Sequence, residues 1–389
     1  MTPQRYAITR RTFLSTTAKA AAAGIALPAL VLRTALADDG RAAGVEQLAG
    51  VVEAGIQEGY CRGAVVLAGK PEDVLLNEAF GYARVEPEQV LMRKDSVFDL
   101  ASVTKVAATA TACAVCVDQG LLDLDRPIRE YLPELSGDGV ERITLRQVGA
   151  HTSGFDNRKF TPRYQGDEMI RAMLAASPRR EPGSGYEYSC LNFILLGLVV
   201  ERVSGKPLAE FCRQCIFQPL GMNDTRFGPV PDSPRLVGNS VKEPGQISDG
   251  QARLAGRPVG NAGLFSTAAD LARFCRMMLD GGLSGEVRVL SDAVIADTTR
   301  RSPAAQSARG FGWDLEPEGR PEELSSATYY HTGWTGQSMW IDPETKRYVI
   351  VLSNRDHPTS VGALYAGAKR FRARVAEAAL AACRRANDL

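Results

Sequence analysis

The sequence predicts an α/β fold of the α+β kind: one antiparallel sheet built from both chain ends and flanked by helices, with a mostly helical lobe inserted. Three observations predict it. Strand-like apolar segments lie near both ends, at Gly63–Ala68 and Val74–Phe80, and again at Ser338–Ile341 and Tyr348–Leu352. Helical patterns lie outside them, at Asp38–Glu58 and about Val361–Arg385. From about Ser102 to Leu279 the chain reads as helices separated by Gly/Pro loops. The sheet part is therefore expected at about 38–100 and 280–389, the lobe at about 101–279, and a pocket where they meet.

Taken in order, residues 1–37 read as an address rather than as structure. Arg10-Arg11 precedes Phe13-Leu14, an Ala-rich apolar stretch runs from Ala18 to Leu32, and Ala35-Leu36-Ala37 offers a small-x-small cleavage site before Asp38. Basic, apolar and small-x-small in that order is a signal peptide, and the arginine pair points to the twin-arginine route. A folded mature chain, 38–389, is expected in the periplasm or outside the cell. The first two strands join through Lys70-Pro71-Glu72-Asp73, and the last two through Asp342–Lys346, both turn-rich. Val106–Val117 is small and apolar nearly all round, as a helix buried in the middle of a protein must be, and Gly120 is placed to stop it.

Composition excludes several functions. With 46 basic against 45 acidic residues and no long basic run, the chain lacks the electrostatic footprint of a nucleic-acid binder. No stable membrane span follows the leader. The three histidines are far apart in sequence, which argues against a zinc hydrolase. Cys113/Cys116 and Cys212/Cys215 are CxxC pairs within apparent helices, a spacing poorly placed for a disulfide, so they read as buried small hydrophobes. The oligomeric state is left open.

The chemistry centres on Ser102-Val103-Thr104-Lys105. Ser102 is expected in the first turn of the buried helix, where free N–H groups and the helix dipole favour developing negative charge. Lys105, three residues on, lies on the same face. A serine hydroxyl is a poor nucleophile until something takes its proton, and a lysine amine whose pKa burial has lowered can do so. A Ser cap with a snorkelling Lys is the bland alternative for this pattern. Pro182–Gly185 then forms a tight loop that delivers Tyr188 to the start of an apolar helix. His331-Thr332-Gly333-Trp334-Thr335-Gly336 is expected to open the strand that continues to Trp340, its small residues letting a substrate backbone lie close.

Ser102–Lys105, Tyr188-Ser189-Cys190 and His331-Thr332-Gly333 resemble, in order, the SxxK, Tyr-x-Asn and Lys/His-Thr/Gly-Gly motifs of the class C β-lactamase, DD-peptidase and related esterase family. Leu121–Pro127, Ala150–Gly154, Pro219–Met222 and Gly263–Thr267 resemble further landmarks, and the likeness spans about residues 45–375. It implies a β-lactamase-like fold and an acyl-enzyme on Ser102, with Lys105 and Tyr188 sharing the proton and Tyr188 helping to activate the deacylating water. It also implies an oxyanion held by the backbone N–H groups of Ser102 and Trp334, with no metal or cofactor needed. Two departures bear on substrate. His331 stands where β-lactamases usually carry Lys and is mostly neutral at pH 7, which weakens the grip on a carboxylate. Cys190 stands where Asn is usual, and a thiol cannot offer both amide functions. Both favour hydrolysis of esters or small acyl compounds over β-lactams. The alternatives are a β-lactamase, a D-alanyl-D-alanine carboxypeptidase on cell-wall peptides, and a non-catalytic binder of cell-wall fragments.

His151 is expected in a hydrogen-bonded structural turn, because no GxSxG elbow supports a different triad. His357 reads as loop structure, and Trp313 as pocket lining or core.

Overall fold

A computed structural model describes residues 29–158, 163–303, 308–357 and 365–387. Most of the leader, residues 1–28, lies outside the described residues, and the helix expected from Asp38 begins earlier, at Ala29, and runs to Gln57. Strands β1 (Gly63–Gly69), β2 (Val74–Arg84) and β3 (Val90–Leu91) follow. Next come β4 (Phe98–Asp99), β5 (Arg226–Phe227) and β6 (Leu264–Ser266), then a ribbon of β7 (Leu283–Ser284) and β8 (Val287–Arg288). The chain closes with β9 (Tyr329–Thr332), β10 (Ser338–Asp342), β11 (Arg347–Ser353) and a helix at Tyr365–Asn387.

The main sheet is antiparallel in the order β3-β2-β1-β11-β10-β9. Pairing of β1 with β11, from Ala64 opposite Ser353 to Gly69 opposite Tyr348, joins the two chain ends as the sequence predicts. Every residue of β1 is buried because both faces are covered, and the strand's two-residue period sorts its side chains between two cores. Ala64, Val66 and Ala68 meet Leu48 and Val52 of the first helix and Phe371, Val375 and Ala379 of the last. Val65 and Leu67 face the other way, into a core shared with Phe274, Met339 and Ile350 and continuous with the helical region. The helix Ala268–Leu279 lies on that second face.

The sequence reading missed a second, three-stranded sheet, β4-β6-β5. Its strands are two or three residues long, too short to leave a periodic signal. It nevertheless carries the catalytic candidates: Asp99 at the end of β4 pairs with Phe265, three residues before Ser102. The helical stretch Ala101–Asp118 is the one among the described residues long and apolar enough to cross a membrane, and it is 83% buried inside the protein.

Candidate active site

Ser102 does not sit in the first turn of a regular helix, contrary to the sequence expectation. Ala101–Val103 is a 3₁₀ turn, Lys105–Ala110 is a π-helix, and α-helical geometry begins only at Thr111. Ala101 adopts φ +45°, a conformation costly for a side-chain-bearing residue, and surrounding bonds hold it there. The Ala101 N–H donates to Asp99 Oδ1 (2.9 Å), the Leu100 N–H to the Leu264 carbonyl (2.8 Å), and the Leu264 N–H to Thr104 Oγ1 (3.1 Å). The wide π turn brings Lys105, fully buried, beneath the serine. Its Nζ donates to Ser102 Oγ at 3.1 Å and to the Asn261 carbonyl at 2.9 Å, and lies 3.7 Å from Cys190 Sγ.

Tyr188 precedes the helix Cys190–Ser204, and its phenol faces the same cavity as Ser102, with Lys105 acting on it electrostatically. The Lys105 ammonium lies 5.0 Å from the tyrosine ring centroid. Burial works against the Lys105 charge, but Cys190 and Tyr188 beside it work the other way and leave its pKa above the ordinary lysine value. This reverses the sequence expectation, which weighed burial without the acidic neighbours. Burial raises the Tyr188 pKa as well, with the Lys105 charge opposing. His151 is part of the scaffold, as expected: it takes φ +59°, and its Nδ1 accepts the Ser189 N–H at 3.1 Å. Its ring packs 4.5 Å from that of Tyr188, centroid to centroid. The Cys190 N–H donates to Asn157 Oδ1 at 3.0 Å, which ties the start of the helix to the 157 loop.

The third motif is not one continuous strand. His331 and Thr332 end β9, the chain turns through 333–337, and β10 starts at Ser338, so Ser338 pairs back on Thr332. The turn is held at Asp99: Thr335 Oγ1 and Gln337 Nε2 donate to the Asp99 carbonyl at 2.8 and 3.0 Å. A Cβ at Gly333 would lie 2.6 Å from the Leu100 carbonyl oxygen, so only glycine lets this turn approach the nucleophile's strand. His331 Nδ1 lies 2.8 Å from the Thr332 carbonyl; a carbonyl only accepts, so Nδ1 carries the proton. Burial, then the Arg309 and Lys105 charges, hold the His331 pKa well below its usual value, so the imidazole is neutral. The Trp334 ring is 52% exposed, with the Arg355 guanidinium 4.3 Å from its centroid on one face.

Ser102, Tyr188, Cys190, His331, Thr332 and Trp334 line one cavity of about 690 Å³. Lys105 and Gly333 sit immediately behind its wall. The structure adds residues that sequence reasoning did not single out. Tyr186, Asn157, Asp249, Lys369 and the ion pair Arg309–Asp314 (2.8 Å) line the same cavity. The Arg309 guanidinium also stacks 5.1 Å from the Tyr186 ring centroid. These lie far apart in sequence and share no motif; the only signal available was the adjacency of Arg309 to the Gly310–Trp313 segment. Trp313 belongs to the core at 2% exposure, and His357 is held by backbone bonds in a loop. All eight cysteines are unpaired, and among the described residues no cluster of His, Cys, Asp and Glu could hold a metal ion.

Comparison with known proteins gives a consistent picture. The family model described as Beta-lactamase matches residues 48–373. A Salmonella agona (strain SL483) protein named "Putative D-alanyl-D-alanine carboxypeptidase" is 29% identical over 360 residues, covering 80% of this chain and 83% of that protein. Among solved structures, "EstCE1, a hydrolase with promiscuous acyltransferase activity" superposes with a TM-score of 0.70 at 24% identity, covering 87% of this chain and 98% of that one. A class C β-lactamase from Rhodobacter sphaeroides gives 0.67 at 22% identity, covering 86% and 99%. At these identities the structural likeness shows the fold.

Proposed function

Because the chain belongs to the Beta-lactamase family, whose fold carries serine hydrolases including esterases and β-lactamases, we propose that it hydrolyses carboxylic esters or amides through an acyl-enzyme on Ser102. The observation that carries this is the contact of Lys105 Nζ with Ser102 Oγ at 3.1 Å, with the Tyr188 ring 5.0 Å from that ammonium and lining the same cavity as Ser102. Ser102 Oγ bonds to the carbonyl carbon as its proton passes to the Lys105–Tyr188 pair. That pair then delivers the proton to the leaving alcohol or amine as the acyl bond breaks. Water enters by the reverse path, giving its proton to the pair, and releases the acid. Backbone N–H groups of Ser102 and Trp334 would hold the oxyanion; loss of one such donor typically costs about 10²–10³ in turnover.

The neutral His331 and the thiol of Cys190 support small esters over β-lactams. A second reading, a carboxypeptidase or β-lactamase acting on substrates with a free carboxylate, is favoured by one specific observation: Lys369 supplies the cavity wall with a cation that the third motif lacks, whereas Arg309 is already paired with Asp314. Purified protein with a p-nitrophenyl short-chain ester and a chromogenic cephalosporin separates these. Ester turnover is expected, falling at least about 10³-fold in Ser102→Ala, with weak cephalosporin hydrolysis. Rapid cephalosporin hydrolysis would favour the second reading. Silence on both, with no mass adduct on Ser102, would leave a binder.

Export belongs to the same proposal, supported by the order of arginine pair, apolar stretch and Ala35-Leu36-Ala37. In a bacterial host with a twin-arginine system, the activity is expected in the periplasmic or secreted fraction. Replacing Arg10 and Arg11 by Lys should retain it in the cytoplasm; unchanged fractionation would overturn the route.

A further inference from the structure

Ser248 and Asp249 in the catalytic cavity wall follow closely on the segment Val237–Gly245, which lines a second cavity of about 470 Å³. That volume suits a small ligand. Pro87, Val237, Val241 and Pro244 give it apolar walls, while Arg84 and Lys242 bring two cations. Glu86 is the one carboxylate among the described lining residues, and it is exposed. Arg84 is 8% exposed; its Nη1 bonds to Asp232 Oδ1 at 3.0 Å, but its buried Nε finds no acceptor among the described residues. Such an orphaned donor is uncommon in folded proteins and calls for a partner.

A hydrogen-bonded path joins this cavity to the nucleophile. His357, in the cavity wall, accepts the Val85 N–H at Nε2 (3.2 Å) and therefore donates from Nδ1 to the Asn239 carbonyl (3.2 Å). Asn239 Nδ2 donates to the Gln246 carbonyl (2.8 Å) and reaches Asp99 Oδ2 (3.4 Å), which also accepts the Ser248 N–H at 2.6 Å. Asp99 Oδ1 holds the residue before Ser102. Movement of the 237–245 segment therefore bears on both the catalytic wall and the serine turn.

We propose that the second cavity is an effector site for a small organic monocarboxylate, its apolar body between Val237, Val241 and the prolines and its carboxylate on Arg84 and Lys242. Occupancy changes turnover at Ser102 through Asn239 and Asp99. The effect on turnover rests on the serine-hydrolase reading, under which such acids are products; the binding does not.

The test uses sodium hexanoate as probe, with hexanol and inorganic phosphate as comparators, by calorimetric titration and by steady-state hydrolysis of p-nitrophenyl acetate. Hexanoate is expected to bind saturably, with hexanol and phosphate each at least 10-fold weaker, and to change kcat without competing with substrate. Val241→Trp, which fills the cavity, should weaken hexanoate at least 10-fold while kcat/KM without hexanoate stays within about twofold; Arg84→Gln should weaken it similarly. Purely competitive inhibition, equal binding of hexanol or phosphate, or unaltered affinity in folded Val241→Trp would overturn the proposal. Absence of ester turnover with cavity-dependent hexanoate binding intact would defeat the hydrolase reading and leave the site.

Discussion

Cys190 shows how one side chain can redirect a shared scaffold. Its Sγ occupies the place of an amide 3.7 Å from Lys105, and a thiol is a weak donor there. Cys190→Asn restores an amide that can donate to a substrate carbonyl while accepting from the ammonium. A hydrogen bond to such a group is worth about 1.5 kcal/mol, roughly tenfold in rate. Cephalosporin turnover should rise by about that factor in Cys190→Asn, and ester turnover should stay within about tenfold in Cys190→Ser. A fall in cephalosporin turnover in the Asn variant, measured by absorbance, would show that Cys190 does not set this preference. His151 carries a different prediction. Burial holds its pKa, like that of His331, well below the ordinary value, so its stabilising contribution is complete above about pH 6.5 and is lost as the pH falls. Each such histidine removes about 1.4 kcal/mol of stability one pH unit lower. Asp99, pushed by burial to about 6, runs the opposite way, contributing stability that is lost as the pH rises through that value. The comparison is therefore between variants. His151→Asn, a residue that tolerates the left-handed backbone, should lose less Tm than wild type between pH 7 and 5.5. Equal losses would sink the argument.

At the scale of elements, close crossings decide the site more than helix regularity does. Gly260 passes so near the helix Cys190–Ser204 that an added Cβ would lie 2.0 Å from the Phe193 carbonyl oxygen and 2.9 Å from Thr109 Cγ2. Thr109 Oγ1 in turn donates to the Gly260 carbonyl at 2.8 Å. The next residue, Asn261, presents its carbonyl to Lys105. Gly260→Ala should therefore destabilise by about 1–3 kcal/mol, as overpacking does, and lower kcat through Lys105, visible as a lower Tm and a slower ester assay. Unchanged Tm and activity would mean that the crossing is looser than it stands here. The SxxK spacing itself was legible as an i, i+3 pair. The 3₁₀ turn and π-helix that deliver it were not, because neither leaves a hydrophobic period distinct from that of an α-helix.

Across the whole molecule, Asp99 is the point where three distant segments meet. Its carboxylate holds the serine turn and the 239–248 segment, and its carbonyl holds the turn after Gly333. Pairing of β1 with β11 sets the register of the C-terminal strands, and through β10 and β9 it brings Thr332 to the cavity. The paired termini, the terminal helices and the three motifs in order were legible because strand alternation, helical period and short motifs are local in sequence.

The chain by itself determined the four central strands of the main sheet, the family and the identities of Ser102, Lys105, Tyr188, Cys190 and His331. Only the tertiary structure decided that Lys105 is surrounded by acidic groups rather than by apolar ones alone, that Arg309 and Lys369 face the same cavity, and that Asp99 ties the site together. The physical reason is that charge state and cavity shape depend on neighbours remote in sequence, within a few ångströms in space, which no periodicity encodes.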